Sequence, residues 1–201
     1  MTGQCDIDVR FFPPPPELEG CFSTFYRATF TIAGGGRVRD FLQPEWANLR
    51  FFSGAAPHAC LVARTETLNA RFTATGPSAL PTEFHLGTTR MWGVGLFPLG
   101  WAKFIAVPAG QMANALVDGE AHPAYGDFAH LPAILFDDEP DDETEYRRII
   151  ACFLALNRPH RDQERIVAVH AALVDPMLSS VAEMAERSGL SQRTLERLCH
   201  R

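Results

Sequence analysis

Ser180 to Arg201 reads SVAEMAERSGLSQRTLERLCHR and carries the most specific pattern in the chain. Ser180, followed three residues later by Glu183, forms a capping box, and Val181, Met184 and Ala185 make the buried side of the helix that starts there. Gly189 stands four residues after Ala185, where a tight corner needs positive φ. Ser191 caps a second helix, in which Leu195 and Leu198 face inward while Leu190 fills the corner. Small Ala185 lets the two helices approach closely, so the spacing predicts a helix-turn-helix. The outer surface of the second helix keeps Gln192, Arg193, Glu196, Arg197, His200 and Arg201. Its arginines and glutamine can reach phosphates and base edges in a major groove. The competing interpretation is an ordinary helical hairpin whose arginines only meet solvent. Coincidence of capping box, small residue, corner glycine and basic outer face favours DNA binding.

Upstream, residues Gln163 to Val174 predict a third helix, with Ile166, Val169 and Leu173 on one face to bury the pair. NRPHRD, Asn157 to Asp162, is expected to be a linker. Before it, TEYRRIIACFLAL places Tyr146, Ile149, Ile150, Phe153 and Leu154 on one helical face. The acidic run Asp137 to Glu143 suits the positive end of that helix dipole as a solvated cap, and its unpatterned spacing argues against a metal site. GWAKFIAV and PAGQMANALVD, residues 100 to 118, predict two short helices, with Pro108 at the start of the second.

From Cys21 to Phe97 the texture is different. CFSTFYRATFTI, WANLRFFS, ACLVART, NARFTAT, TEFHLGT and MWGVGLF are short apolar or aromatic stretches separated by turn residues. This spacing predicts a compact antiparallel barrel or sandwich. GGGR at Gly34 to Arg37 lacks the lysine of a phosphate loop and is expected to be a hairpin tip, and Pro13 to Pro16 a stiff extended lead-in. The fold class is therefore α+β: an N-terminal antiparallel β-rich barrel or sandwich with packed helices over residues 1–160, then a C-terminal helix-turn-helix segment over 161–201.

Composition is consistent with this division. Hydrophobic residues at 46% and charged residues at 21% suffice for a packed core and are unlike a disordered chain. The net charge of −6 excludes a protein that is basic throughout. All the acidic excess precedes residue 161, whereas Arg187 to Arg201 holds four arginines against one glutamate. Lys103 is the single lysine, so positive charge is carried by planar, bidentate guanidinium groups. The five cysteines are scattered without a C-x-x-C pair and are expected to be reduced thiols. No apolar run approaches the roughly 18 residues that span a bilayer. The N-terminal MTGQCDIDVRFFPPPP lacks the basic and apolar regions of a signal peptide, so a cytoplasmic protein without a membrane partner is expected.

The segment from Ser180 to Arg201 resembles the first helix-turn-helix of AraC/XylS-type transcriptional regulators. The family run TVAELAxxxGLSxRxLxRxF stands here as SVAEMAERSGLSQRTLERLC, matching at Ala185, Gly189, Leu190, Ser191, Arg193, Leu195, Arg197 and Leu198. Cys199 departs from the usual phenylalanine. MWGVGLFPLGWAKFIAVPAGQMANALVD also resembles an N-terminal domain of that family, where a strand ends in Phe-x-Pro-x-Gly and helices follow. The resemblance implies a DNA-binding regulator, with Arg193 and Arg197, then Gln192 and Arg201, as DNA contacts. It also implies an N-terminal domain that senses a small-molecule effector or makes a homodimer. The family's DNA-binding unit resembles two such motifs joined by a long helix. A sequence ending at the first recognition helix is thus expected to belong to a longer regulator, and to bind DNA weakly by itself.

A β-rich sensor invites a search for a pocket. His58, His85, His122, His130, Glu83 and Cys60 are its polar candidates, and Trp46, Trp92, Trp101, Phe51, Phe52, Phe84 and Phe97 could line an apolar cavity or simply form core. His58, His85 and Trp92 are the ligand-binding candidates. A metal-binding cupin barrel needs a tight His-x-His followed by Glu, and only Glu83 to His85 approaches it, so no metal and no cofactor are expected. No serine or cysteine has a locatable base, and GPSAL at Gly76 to Leu80 is not a nucleophile elbow, so no enzyme activity is expected. The alternative from another class is a cupin-like small-molecule binder or metalloenzyme with structural C-terminal helices, which predicts a polar-lined cavity around His58 and His85.

Overall fold

A computed structural model describes residues 5–105 and 107–200. The alternating stretches become strands β2 (Phe22–Ile32), β4 (Asn48–Phe52), β5 (His58–Leu61), β6 (Leu68–Asn69), β7 (Phe72–Thr75), β8 (Thr82–Leu86) and β9 (Thr89–Leu96), to which the fold adds β1 (Cys5–Phe11), β3 (Val38–Leu42) and β10 (Leu116–Asp118), strands not expected from the sequence. They pair antiparallel in two sheets, one of order β1-β2-β9-β4-β7-β10 and one of order β3-β8-β5-β6. No ladder joins the two sheets among the described residues, so they form an open stack and not a closed barrel. GGGR is not a hairpin tip: it carries the chain from β2 in one sheet to β3 in the other.

Strand alternation sorts the side chains of the larger sheet between two neighbours. Leu49, Phe51, Phe72, Trp92 and Val94 face a layer of helices and form the main core with it. That layer contains α1 (Pro98–Phe104), α2 (Leu131–Ile134) and α3 (Asp142–Leu156), which contribute Trp101, Leu131, Ile149 and Phe153 among others. The second sheet covers the opposite face. Of the two short helices expected after Pro98, the first forms as α1. PAGQMANALVD instead makes a 3-10 turn at Ala109–Met112 and then β10, because Leu116 to Asp118 find a free edge on β7.

The start of α3 is pinned to the sheet by charge. Asp141 caps the helix, its carboxylate accepting from the Glu143 and Thr144 backbone N–H groups at 3.3 and 3.2 Å. Asp142, in the acidic run expected to be solvated, instead turns inward and accepts two bonds from Arg27, at 3.0 and 3.1 Å, and others from Arg10 and Arg90. Asp8 completes the group by pairing with Arg27. Burial alone would raise the Asp142 carboxyl, but the guanidinium bonds override it and hold the group well below the usual carboxylate range. Glu145 is 2% exposed and accepts from Trp92 Nε1 at 2.6 Å and from Arg90 Nε at 2.9 Å. The buried face of α3 therefore includes this acid, while Leu154, expected on that face, is exposed.

Residues 163–199 form α4 (Gln163–Leu173), α5 (Val181–Arg187) and α6 (Gln192–Cys199). Val169, Ala185 and Leu195 make a small core with Met184, Leu190 and Leu198 packed against it. Leu173 and Val181 were expected inside but are exposed, and Ala172 takes the buried position on α4. Ile166 belongs to the main core and Leu198 touches both cores, so the helices are seated on the sheet-and-helix body.

Removing one partner from a buried ion pair strands the other. Glu145→Ala should lower unfolding free energy by about 3 kcal/mol in a denaturant titration; a loss under about 1 kcal/mol would show that the cluster does not anchor α3. The Asp142 contribution is fully present above the ordinary carboxyl value of 3.8 and should be lost as pH falls below it.

Candidate nucleic-acid interface and interior cavity

The α5–α6 pair has well-formed ends. Ser180 Oγ accepts from Glu183 N at 3.2 Å and Glu183 Oε2 accepts from Ser180 N at 3.0 Å, completing the capping box. The helix closes in a Schellman motif: Leu190 N donates to Ala185 O at 2.9 Å and Gly189 N to Glu186 O at 3.0 Å. Gly189 takes φ 68°, which a side chain would strain. Ser191 Oγ then accepts from Thr194 N at 3.2 Å to start α6. The capping box, the left-handed corner glycine and the second cap expected from the sequence are present, whereas Val181 is exposed.

On α6, Gln192, Arg193, Glu196 and Arg197 are exposed. Neither Arg193 nor Arg197 makes an ion pair with a described residue, so both guanidinium groups are available to an external anion. Arg201 lies outside the described residues. At the foot of α6, Arg161, Arg165, Arg197 and Thr194 line an open cleft of about 310 Å³, with Asp162 paired to the first two arginines. Arg161 and Arg165 were not singled out in the sequence, because they stand in and beside the linker stretch, some thirty residues before α6. Only the return of α6 against α4 brings them beside Arg197.

The sensor candidates separate in space. His58 and His85 are directly opposite each other on β5 and β8. Strand alternation turns both away from the larger sheet, since their neighbours Ala59 and Phe84 face it. On that outer face Arg39 donates to both Glu83 oxygens at 2.7 and 3.0 Å, and His85 Nε2 lies 2.8 Å from Glu83 Oε1. The Arg39 bonds, helped by His85, lower the Glu83 carboxyl to about 2. This is an ion-paired strand surface tying β3 to β8. Trp92 is in the main core, between Phe12 and Phe25 and bonded to Glu145. His122 caps the turn at Ala124, and His130 is exposed. Among the described residues no three His, Cys, Asp or Glu side chains converge as metal ligands.

A cavity of about 150 Å³ does lie between the sheets. Its walls include Ala28, Phe30, Phe52, Phe84, Leu86 and Met91, and its polar groups come from Tyr26, Arg50, Thr73 and Thr82. It reaches none of His58, His85 and Trp92. Of the aromatic residues considered for such a cavity, Phe52 and Phe84 line it, while Phe51, Trp92 and Trp101 are core.

Between the cavity-bearing body and the α5–α6 pair, α4 carries His170. Its ring meets Phe97 at 4.5 Å and Trp46 at 5.2 Å, and its Nε2 is buried with no hydrogen-bond partner among the described residues. Burial lowers the imidazole from its ordinary value of 6.5.

No protein-family model matches the chain, and no curated protein matches it. Among solved structures it is similar to the AraC-like transcriptional activator CuxR, with 12% identity, 96% of this chain and 79% of that chain covered, and a TM-score of 0.39. Among the described residues no helix is long and apolar enough to cross a membrane.

Because burial lowers the His170 imidazole in the folded chain, this side chain takes up its proton at higher pH when unfolded than when folded, so its contribution to the packing of α4 weakens as pH falls through 6.5. Amide exchange in α4 should be faster at pH 5.5 than at 7.5 after correction for intrinsic rates, and His170→Phe should remove the difference. An equal difference in that variant would assign the pH response to another group.

Proposed function

We propose that this chain is the sensing part and the first helix-turn-helix of a DNA-binding transcriptional regulator of AraC type. The single observation that carries the proposal is the capped α5–α6 pair, closed at Gly189, which presents on the exposed face of its second helix two arginines with no ion pair among the described residues. Arg193 and Arg197 contact DNA from α6, joined by Gln192 and by Arg201 beyond the described residues. Arg161 and Arg165 extend the same basic strip for phosphate contacts.

The regulator works as a cytoplasmic homodimer that reads two half-sites and catalyses no reaction. An effector in the N-terminal part acts by changing the placement of α6, which is not independent of that part because Leu198 packs on both cores.

The test selects DNA from a randomised duplex pool with the chain at low salt, then measures retention in a mobility-shift titration over several salt concentrations. Arg193→Glu and Arg197→Glu should each weaken binding roughly tenfold or more and flatten the salt dependence. Unchanged binding by both variants, or no retained DNA at low salt, would overturn the assignment.

A further inference from the structure

We infer that the cavity between the sheets is a site for a small apolar carboxylate, whose charged end meets Arg50. The inference rests on the effector-sensing reading above and names the class of molecule that the sensor takes.

The cavity has a polar row and an apolar row. Tyr26, Gly93, Arg50 and Thr73 are aligned across β2, β9, β4 and β7 by strand register. Ala28, Met91 and Phe52 form the adjacent row. Gly93 is required in the first, because a Cβ there would overlap the Tyr26 ring, which lies across β9 toward Arg50. Facing both rows from the second sheet are Phe84 and Leu86.

Arg50 is 5% exposed and is held from one side. Its Nη2 donates to Glu45 Oε2 at 2.7 Å, and its Nε makes a long contact of 3.4 Å with Tyr26 Oη. Glu45 also accepts from Asn48 Nδ2 at 3.2 Å and Thr75 Oγ1 at 3.0 Å, so three donors share its charge. Arg50 Nη1 has no hydrogen-bond partner among the described residues, and neither has the hydroxyl of Thr73 or Thr82. Nη1 is not sealed from solvent-sized molecules, so an acceptor that enters beside Arg50 can reach it and make a charge-assisted bond. The cavity lining holds no acidic side chain to oppose an incoming anion. Two N–H bonds of Nη1 and the hydroxyls offer more donors than a single carbonyl oxygen can accept, whereas a carboxylate has two oxygens and about four acceptor sites.

Size limits the rest of the molecule. A cavity of about 150 Å³ lined by apolar side chains holds a molecule the size of benzene. Because the cavity is partly open, the carboxylate can stand at its polar row while the apolar row takes a body of up to about six carbons. Ala28 and Ala59, small residues on facing strands, leave that space open.

The experiment titrates the chain, without DNA, with hexanoate and cyclohexanecarboxylate by calorimetry, and with 1-hexanol and cyclohexylmethanol as neutral counterparts. The carboxylates should bind roughly tenfold or more tightly than the alcohols and raise the melting temperature. Arg50→Gln should erase the preference. Because that change strands Glu45 and could unfold the chain, two further variants are used: Thr73→Val should weaken the carboxylates, and Ala28→Phe, which fills the cavity, should abolish binding of all four molecules. The proposal is overturned if the folded chain binds neither carboxylate, binds them no better than the alcohols, or binds them equally well as Ala28→Phe. Carboxylate binding that persists while the Arg193 and Arg197 reversals leave DNA retention unchanged would overturn the regulator alone. Lost carboxylate binding with arginine-dependent DNA retention would overturn the site alone.

Discussion

Burial of the central strands of the larger sheet, β9, β4 and β7, on both faces is the constraint from which the other features follow. β4 shows it most directly: all five residues from Asn48 to Phe52 are buried, although they include an asparagine and an arginine. One face must be covered by helices and the other by the second sheet, and each covering layer imposes a different chemistry. Against the helices the sheet offers close-packed aromatic and aliphatic side chains. Toward the second sheet it sets the small Ala28 and Gly93 among Tyr26, Arg50, Phe52 and Met91, which together do not fill the gap, and a cavity results.

Charge is used inside this frame for registry. The arginines of β2 and β9 sit on the helix-facing side of the sheet, where apolar contacts alone would let α3 slide. Their bonds to Asp142 and Glu145 set one position for the helix, with its positive dipole end over the acids of its own first turn. Such a cluster contributes less net free energy than apolar packing of equal volume would, and its distinctive effect is to penalise every other register. Arg50 and Glu45 on the opposite face follow the same pattern with one difference. Their pair leaves Nη1 without a partner among the described residues, and Arg50 lines the cavity.

The cavity and the basic helix belong to one connected structure. The cavity lies between the sheets, and the basic helix lies beyond α4, which shares Ile166 with the main core and Val169 with the small one. Leu198 joins the back of α6 to both. A change in the sheet stack thus has a physical route of packed side chains to the arginines on the other side of α6.

The capped helix pair within residues 180 to 200 was legible because its signals are local. A capping box, a left-handed corner and leucines at helical spacing depend on hydrogen bonds and contacts within a few residues, so the order of side chains already contains them. The strand-rich character of residues 21 to 97 was legible for the same reason, through period-two alternation. Alternation identifies two faces without saying what covers each. Trp92 and Arg50 illustrate the consequence: the tryptophan suggested a pocket and is core, while the arginine, not singled out in the sequence, lines the cavity. His58 and His85 alternate correctly but lie on the outer side of the second sheet. Asp142 and Glu145 meet Arg27 and Arg90 across more than fifty residues, and Arg161 and Arg165 reach Arg197 only through the return of α6. In each case the partner is chosen by strand order and layer packing, which join distant segments, and no spacing within one segment encodes that choice.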